Sequence, residues 1–295
     1  MSWRVALALA LLGLAGTGFA QQDFSNVEVK ATPIRDGLYL LTGRGGNIVA
    51  SVGDDGVFLV DDQYAPLTER ILAALAAITD QPVRFVINTH WHGDHVGGNE
   101  NLARAGAVIV AHENVRRRMS TEQFMAVFNT TVPASPARAL PVVTFTGGVT
   151  LHLNGDDVRV MHVANAHTDG DSLVHFQHVN VLHMGDIYFN GLYPFIDLDS
   201  GGGIHGMIAA IERGLELSDD STVIVPGHGP LSDRAELAAY RDMLAGFRDR
   251  IAALKGEGQS LEQVIAARPT AEFDESLGGA FISPERLVGF IYNSL

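Results

Sequence analysis

Thr89-His90-Trp91-His92-Gly93-Asp94-His95-Val96-Gly97-Gly98 follows directly on Val83-Arg84-Phe85-Val86-Ile87-Asn88. The upstream run is apolar and carries β-branched residues, which predicts a strand covered on both faces. Alternate side chains of an extended chain point the same way, so His90 and His92 at the strand's end present two imidazoles to one cation. Gly93 lets the backbone turn, and beyond the turn Asp94 and His95 face a second cation. Four residues of metal-ligand type within six positions, between a strand and a glycine-led helix, call for a reason other than packing.

Working outward, residues 27–30, 38–41, 47–50 and 57–60 read as an antiparallel meander with glycine-bearing turns. It ends in Asp61-Asp62, where a carboxylate partner for a metal ligand fits, although ordinary strand-end turn chemistry explains acids there equally well. Residues 67–78 predict an amphipathic helix leading into the ligand strand. Downstream come a short helix at 99–103, a strand at 107–110, a polar helix at 113–128, and a proline-bearing segment at 129–141 expected as a surface loop beside the substrate.

Strands at 149–153 and 158–163 precede Asn165-Ala166-His167-Thr168-Asp169-Gly170-Asp171-Ser172, another histidine at a strand's end. A hairpin at 173–184 runs into Gly185-Asp186. The loop from 187 to 203 carries Tyr188, Tyr193 and Phe195, expected as exposed aromatics walling a pocket. A helix at 204–217, a strand at 222–225, the turn Pro226-Gly227-His228-Gly229-Pro230 and a helical C-terminal part complete the chain. Strands followed by helix, twice over, predict an α/β (α+β) chain of two sheets packed face to face with helices outside. One edge of that sandwich would gather His90, His92, Asp94, His95, His167, Asp186 and His228.

Residues 1–20 have Arg4 as their only charge, an apolar run from Val5 to Leu14 and the small-residue end Gly18-Phe19-Ala20, the pattern of a signal peptide cleaved after Ala20. Residues 21–295 are then expected as one domain, periplasmic or secreted, with no stable membrane insertion after cleavage. There is no cysteine, so thiolate ligands, thiolate nucleophiles and disulfides are excluded. The formal net charge is −14 and grows more negative once Arg4 leaves, which argues against a nucleic-acid partner. Arg116-Arg117-Arg118 is the only basic run and reads as a solvated helix face. Imidazole and carboxylate together suit zinc or another first-row divalent ion, and His-dominated sites with open positions suit catalysis.

His-x-His-x-Asp-His, a later isolated histidine, Gly-Asp at a strand's end and Pro-Gly-His-Gly together resemble the metallo-β-lactamase superfamily, over roughly residues 27–231. The resemblance implies a four-layer αββα sandwich around a dinuclear metal centre. By position, His90, His92 and His167 match ligands of the first metal, Asp94, His95 and His228 those of the second, and Asp186 the carboxylate bridging both. Asp61 matches the strand-end aspartate that supports the ligand loop without binding metal.

The chemistry so implied is hydrolysis: water held between two divalent ions, zinc first with iron or manganese as alternatives, gives a hydroxide that attacks a carbonyl, and Asp94 orients it or shuttles its proton. The expected substrate is a small acyl compound, a cyclic amide or ester, with β-lactamase-like opening first and lactonase, esterase or thioesterase activity as the alternative. Having His95 together with an aspartate at 186 resembles the thioesterase, lactonase and phosphodiesterase branches more than the β-lactamases, as does the lack of a lysine after Asp186. A metal-binding accessory protein without fast turnover is the reading outside the enzymes. The remaining histidines are scattered and expected to be structural or solvated.

Overall fold

Along residues 38–60 alternate side chains divide between two apolar layers, as a sheet buried on both sides requires: Leu38, Leu40, Val49 and Val60 face one way, Leu41, Ile48, Ala50 and Leu59 the other. The computed structural model describes residues 23–279 and 281–295; the expected signal peptide lies outside them. The strands are β1 (Lys30–Arg35), β2 (Leu38–Thr42), β3 (Ile48–Gly53), β4 (Gly56–Val60), β5 (Val83–Ile87), β6 (Val108–His112), β7 (Gln123–Met125), β8 (Thr130–Val132), β9 (Val143–Phe145), β10 (Gly148–Leu153), β11 (Asp156–His162), β12 (Ser172–Phe176), β13 (Val181–His183) and β14 (Val223–Val225). The helices are α1 (Thr68–Ala76), α2 (Gly93–Val96), α3 (Asn99–Arg104), α4 (Glu113–Met119), α5 (Ile204–Leu217), α6 (Arg234–Gly256), α7 (Leu261–Ala266), α8 (Ala271–Leu277) and α9 (Pro284–Ser294).

One sheet has the order β1-β2-β3-β4-β5-β6-β9 and the other β10-β11-β12-β13-β14. Pairing is antiparallel within β1–β4 and within β10–β13. It turns parallel where a helix forms the crossover, as α1 does between β4 and β5 and α5 between β13 and β14. The facing surfaces interdigitate through Ile87, Val110, Val160, Val174 and Phe176. Leu67, Ile71 and Leu102 cover the outside of the first sheet, and Met207, Ile211, Leu244 and Ile291 the outside of the second. This is the expected αββα sandwich.

Three local expectations fail. The helix expected over 113–128 stops at Met119, and 123–132 forms a separate hairpin of β7 and β8. Ser120 and Thr121 turn their hydroxyls onto the Arg117 carbonyl, the β-branched and aromatic residues beyond favour extended chain, and Asn129 closes the turn at a left-handed φ of 48°. The first strand lies at Lys30–Arg35, not 27–30, because the Arg70 guanidinium donates to the carbonyls of Phe24, Ser25 and Val27 and holds them outside the sheet. Tyr188, Tyr193 and Phe195 are buried, not exposed: the Tyr188 hydroxyl pairs with Ser232 Oγ at 2.9 Å, and the Tyr193 hydroxyl donates to Asp274 Oδ1 at 3.0 Å. Among the described residues no helix is long and apolar enough to cross a membrane.

Candidate metal centre

His90, His92, Asp94 and His95 follow β5, His167 follows β11, Asp186 follows β13 and His228 follows β14. The strand ends bring all seven to one edge of the sandwich in two groups, His90, His92, His167 and Asp186, and Asp94, His95 and His228, with ligand atoms in each group within 4.8 Å of one another. Asp186 lies between them. Its Oδ2 is 3.8 Å from His90 Nε2, 3.6 Å from His167 Nε2 and 3.4 Å from His228 Nε2, and its Oδ1 is 3.1 Å from His95 Nε2.

The outer nitrogen of each imidazole in the first group already has a partner. His167 Nδ1 donates to the Phe195 carbonyl at 2.7 Å, and His92 Nε2 to Asp197 Oδ2 at 3.0 Å. Thr89 Oγ1 gives its hydrogen to Asp61 Oδ2 and so accepts from His90 Nδ1 at 3.0 Å. Those bonds fix the tautomers and leave three lone pairs pointing inward. His92 Nδ1 and His167 Nε2 consequently face each other at 2.8 Å, and His90 Nε2 is buried without a hydrogen-bond partner. Opposed lone pairs and an orphaned acceptor repel unless a cation sits among them, so the donor set fits a divalent metal.

Charge follows the same division. Burial, with His95 nearby, pushes His90 well below the ordinary imidazole range, and burial plus His92 takes His167 down to about 4. Burial also works against a charge on His95 and His228, but Asp186 and Asp94 outweigh it, raising His95 and taking His228 up to about 10. Burial would raise Asp94, yet the cationic His95 and His228 hold it at about 2. The second group therefore stores protons that a metal has to displace, and metal affinity rises with pH.

Asp61 supports this arrangement from beneath. It sits at a left-handed φ of 64°, a conformation costing an L residue about 1–2 kcal/mol. Its carboxylate accepts from Thr89 N, Thr89 Oγ1 and His95 Nδ1 at 2.7, 2.8 and 2.7 Å. Each such bond to a charged group contributes about 1.5–3 kcal/mol, so the strained turn is more than offset. Gly227 makes room on the opposite side: a Cβ there would stand 2.1 Å from Asp186 Oδ1.

Asp197 was not legible as part of the site. It lies in the loop read only for its aromatics, and an acid in Asp197-Leu198-Asp199-Ser200-Gly201 looks like turn chemistry. In the fold its carboxylate joins His92 Nε2 to the Ser200 amide, its own amide donates to the His167 carbonyl, and Ser200 Oγ takes the Trp91 indole N–H at 3.1 Å. Asp197→Ala frees His92 to rotate, and metal affinity is expected to fall about 10- to 100-fold. Asp197→Asn satisfies only one of His92 and Ser200 and should fall between; competition with a chelator of known affinity measures both. None of the remaining histidines enters either group: His112 stacks on His162 at 3.7 Å, His183 holds Asn47 O at 3.1 Å across the sandwich, and His152 and His178 sit exposed beside Asp157.

Residues 41–228, which include all seven side chains and Asp61, match the family model of the metallo-beta-lactamase superfamily. The chain belongs to that superfamily of metal-dependent hydrolases. Among solved structures, a metallo-beta-lactamase from Pontibacter korlensis superposes with a TM-score of 0.61 at 22% identity, over 74% of this chain and 99% of that one. The sec-alkylsulfatase Pisa1 from Pseudomonas sp. superposes at 0.67 and 19% identity, over 90% of this chain and 50% of that one. Both likenesses are of fold. Among curated relatives, the 2,4-dinitroanisole O-demethylase subunit alpha of Nocardioides sp. (strain JS1661) is 26% identical over 167 residues, 54% of this chain and 46% of that protein. The hydroxyacylglutathione hydrolase of Polaromonas sp. (strain JS666 / ATCC BAA-500) is 22% identical over 200 residues, 68% of this chain and 67% of that protein. The chain thus spans about half the length of the first of these relatives and two thirds of the second.

Proposed function

We propose that the chain uses two divalent metal ions, zinc first, to hydrolyse a cyclic or activated amide or ester of small size. The observation that carries this reading is the position of Asp186, one carboxylate within 3.1–3.8 Å of imidazoles from both ligand groups. His90, His92 and His167 would hold one ion, Asp94, His95 and His228 the other, and Asp186 both. Bound there, such ions supply Lewis acidity and bring the pKa of water toward neutrality.

The protein's own residues do the rest. Asp94 stays a carboxylate at neutral pH, and its Oδ2, 3.3 Å from His228 Nε2 and partly open to solvent, accepts the proton of the attacking water. Oxygen from that water forms the new bond to the acyl carbon, the bond to the leaving nitrogen or oxygen breaks, and the proton on Asp94 passes to the leaving atom. Thr89, Asp61 and Asp197 keep three imidazoles in their ligating tautomers throughout.

β-Lactams and lactones present the same strained acyl carbon. The lactone or ester reading is favoured by His95 and Asp186 occurring together, and by Ile187-Tyr188-Phe189 standing where a lysine would hold a β-lactam carboxylate. With residues 1–20 read as a signal peptide, the protein acts outside the cytoplasm on a small-molecule partner. The test is turnover of a chromogenic cephalosporin and a lactone panel by the chain beginning at Gln21, with and without chelator. Chelator-sensitive hydrolysis of either class supports the reading. Bound metal without hydrolysis of any acyl compound contradicts it and leaves an accessory metal-binding role.

A further inference from the structure

A run of phenylalanines leads from the metal ligands to the surface. Phe195 lies near-parallel to His92 with centroids 5.6 Å apart, and edge-on to His167 at 5.5 Å. Phe128 meets Phe195 at 5.2 Å, and Phe281 meets Phe128 at 5.5 Å and Phe195 at 6.3 Å. Exposure grows outward: Phe195 is 4% exposed, Phe128 is half-buried and Phe281 is 56% exposed. The rings come from three distant segments, the loop before α5, the turn between β7 and β8, and the stretch before α9.

Packing does not require the outer ring to be there. Helix α9 closes on the core through Leu287, Val288, Phe290 and Ile291, and Phe281 adds exposed apolar area instead of removing it. The hairpin carrying Phe128 is pinned toward the ligand loops, since the Ala126 amide donates to Asp199 Oδ2 at 2.6 Å and Arg118 holds both Gln123 Oε1 and Asp169. Two carboxylates near the run are already engaged, Asp197 by His92 and Asp199 by Ala126, and the Arg286 guanidinium stands 6.0 Å from the Phe128 centroid.

We infer that Phe128 and Phe281, backed by Phe195, form the binding wall for an uncharged alkyl or aryl group carried by the acyl substrate. This rests on the hydrolase reading above. An apolar group laid on open rings beside the ligands releases water from both surfaces.

The experiment pairs binding with turnover on the metal-loaded protein. Methyl alkyl ketones from butanone to decanone, which carry the carbonyl but cannot be hydrolysed, are titrated by calorimetry. p-Nitrophenyl esters from acetate to octanoate are assayed for kcat/KM. Ketone affinity should rise with each methylene, up to about fourfold where it is fully covered. Phe281→Ala and Phe128→Ala should flatten both series, and Phe124→Ala should not, since Phe124 is 54% exposed and makes no ring contact among the described residues. Length-independent ketone binding, unchanged slopes in Phe281→Ala and Phe128→Ala, or tighter binding of a ketone ending in a carboxylate would each overturn the inference. A ketone series that climbs while no p-nitrophenyl ester, lactone or cephalosporin is hydrolysed keeps the wall and removes the hydrolase reading.

Discussion

Asp186→Ala is expected to abolish hydrolysis, lowering turnover by at least about a thousandfold, and to strip metal from both ligand groups at once. One carboxylate stands close to imidazoles of both: it lies 3.6–3.8 Å from His90 and His167 on one side and 3.1–3.4 Å from His95 and His228 on the other. Without it three inward lone pairs have no anion to share a cation with. Metal-assisted steps are worth several kcal/mol of barrier, and about 1.4 kcal/mol is a factor of ten, which sets the thousandfold scale. Elemental analysis beside the assay separates this outcome from unfolding, and far-ultraviolet circular dichroism checks the sandwich. Retention of both ions by Asp186→Ala would show that the carboxylate does not join the two groups.

Asp94 is the second position of large effect, and its two roles can be separated. Asp94→Ala removes the anion facing His228 and His95 and should cost one ion as well as about a hundred- to a thousandfold in turnover. Asp94→Asn keeps an oxygen for the ion but cannot accept a proton. It should therefore hold more metal than Asp94→Ala and still turn over poorly. Equal turnover by wild type and Asp94→Asn would remove the proton-transfer role while leaving the ligand role in place.

Which parts of this site can be read from the chain depends on how far apart their partners are. His90, His92, Asp94 and His95 are legible because strand periodicity and one turn place them, and both signals are local. His167, Asp186 and His228 are legible as residues at strand ends, since such ends share an edge once two sheets stack. Asp61 is half-legible: its place at a strand's end shows, but its grip on Thr89 and His95 depends on β4 and β5 lying side by side.

Asp197 has no such signal, because its partner His92 lies 105 residues away and nothing in the loop's composition distinguishes it from a turn acid. The aromatics of that loop mislead for a related reason. A tyrosine in a loop reads as exposed until a partner for its hydroxyl is found on another element, as Ser232 and Asp274 are for Tyr188 and Tyr193. In residues 113–132 helix and strand tendencies nearly balance, and the break at Ser120 is decided by hydroxyl bonds to the Arg117 carbonyl and by pairing of β7 with β8.

Counting the metal ions in the purified chain by elemental analysis bears most directly on the shared carboxylate. About two divalent ions per chain, both released by a chelator together with the hydrolytic activity, is the expected result. A single ion at saturation, or hydrolysis that survives complete removal of metal, would contradict a dinuclear centre built on Asp186.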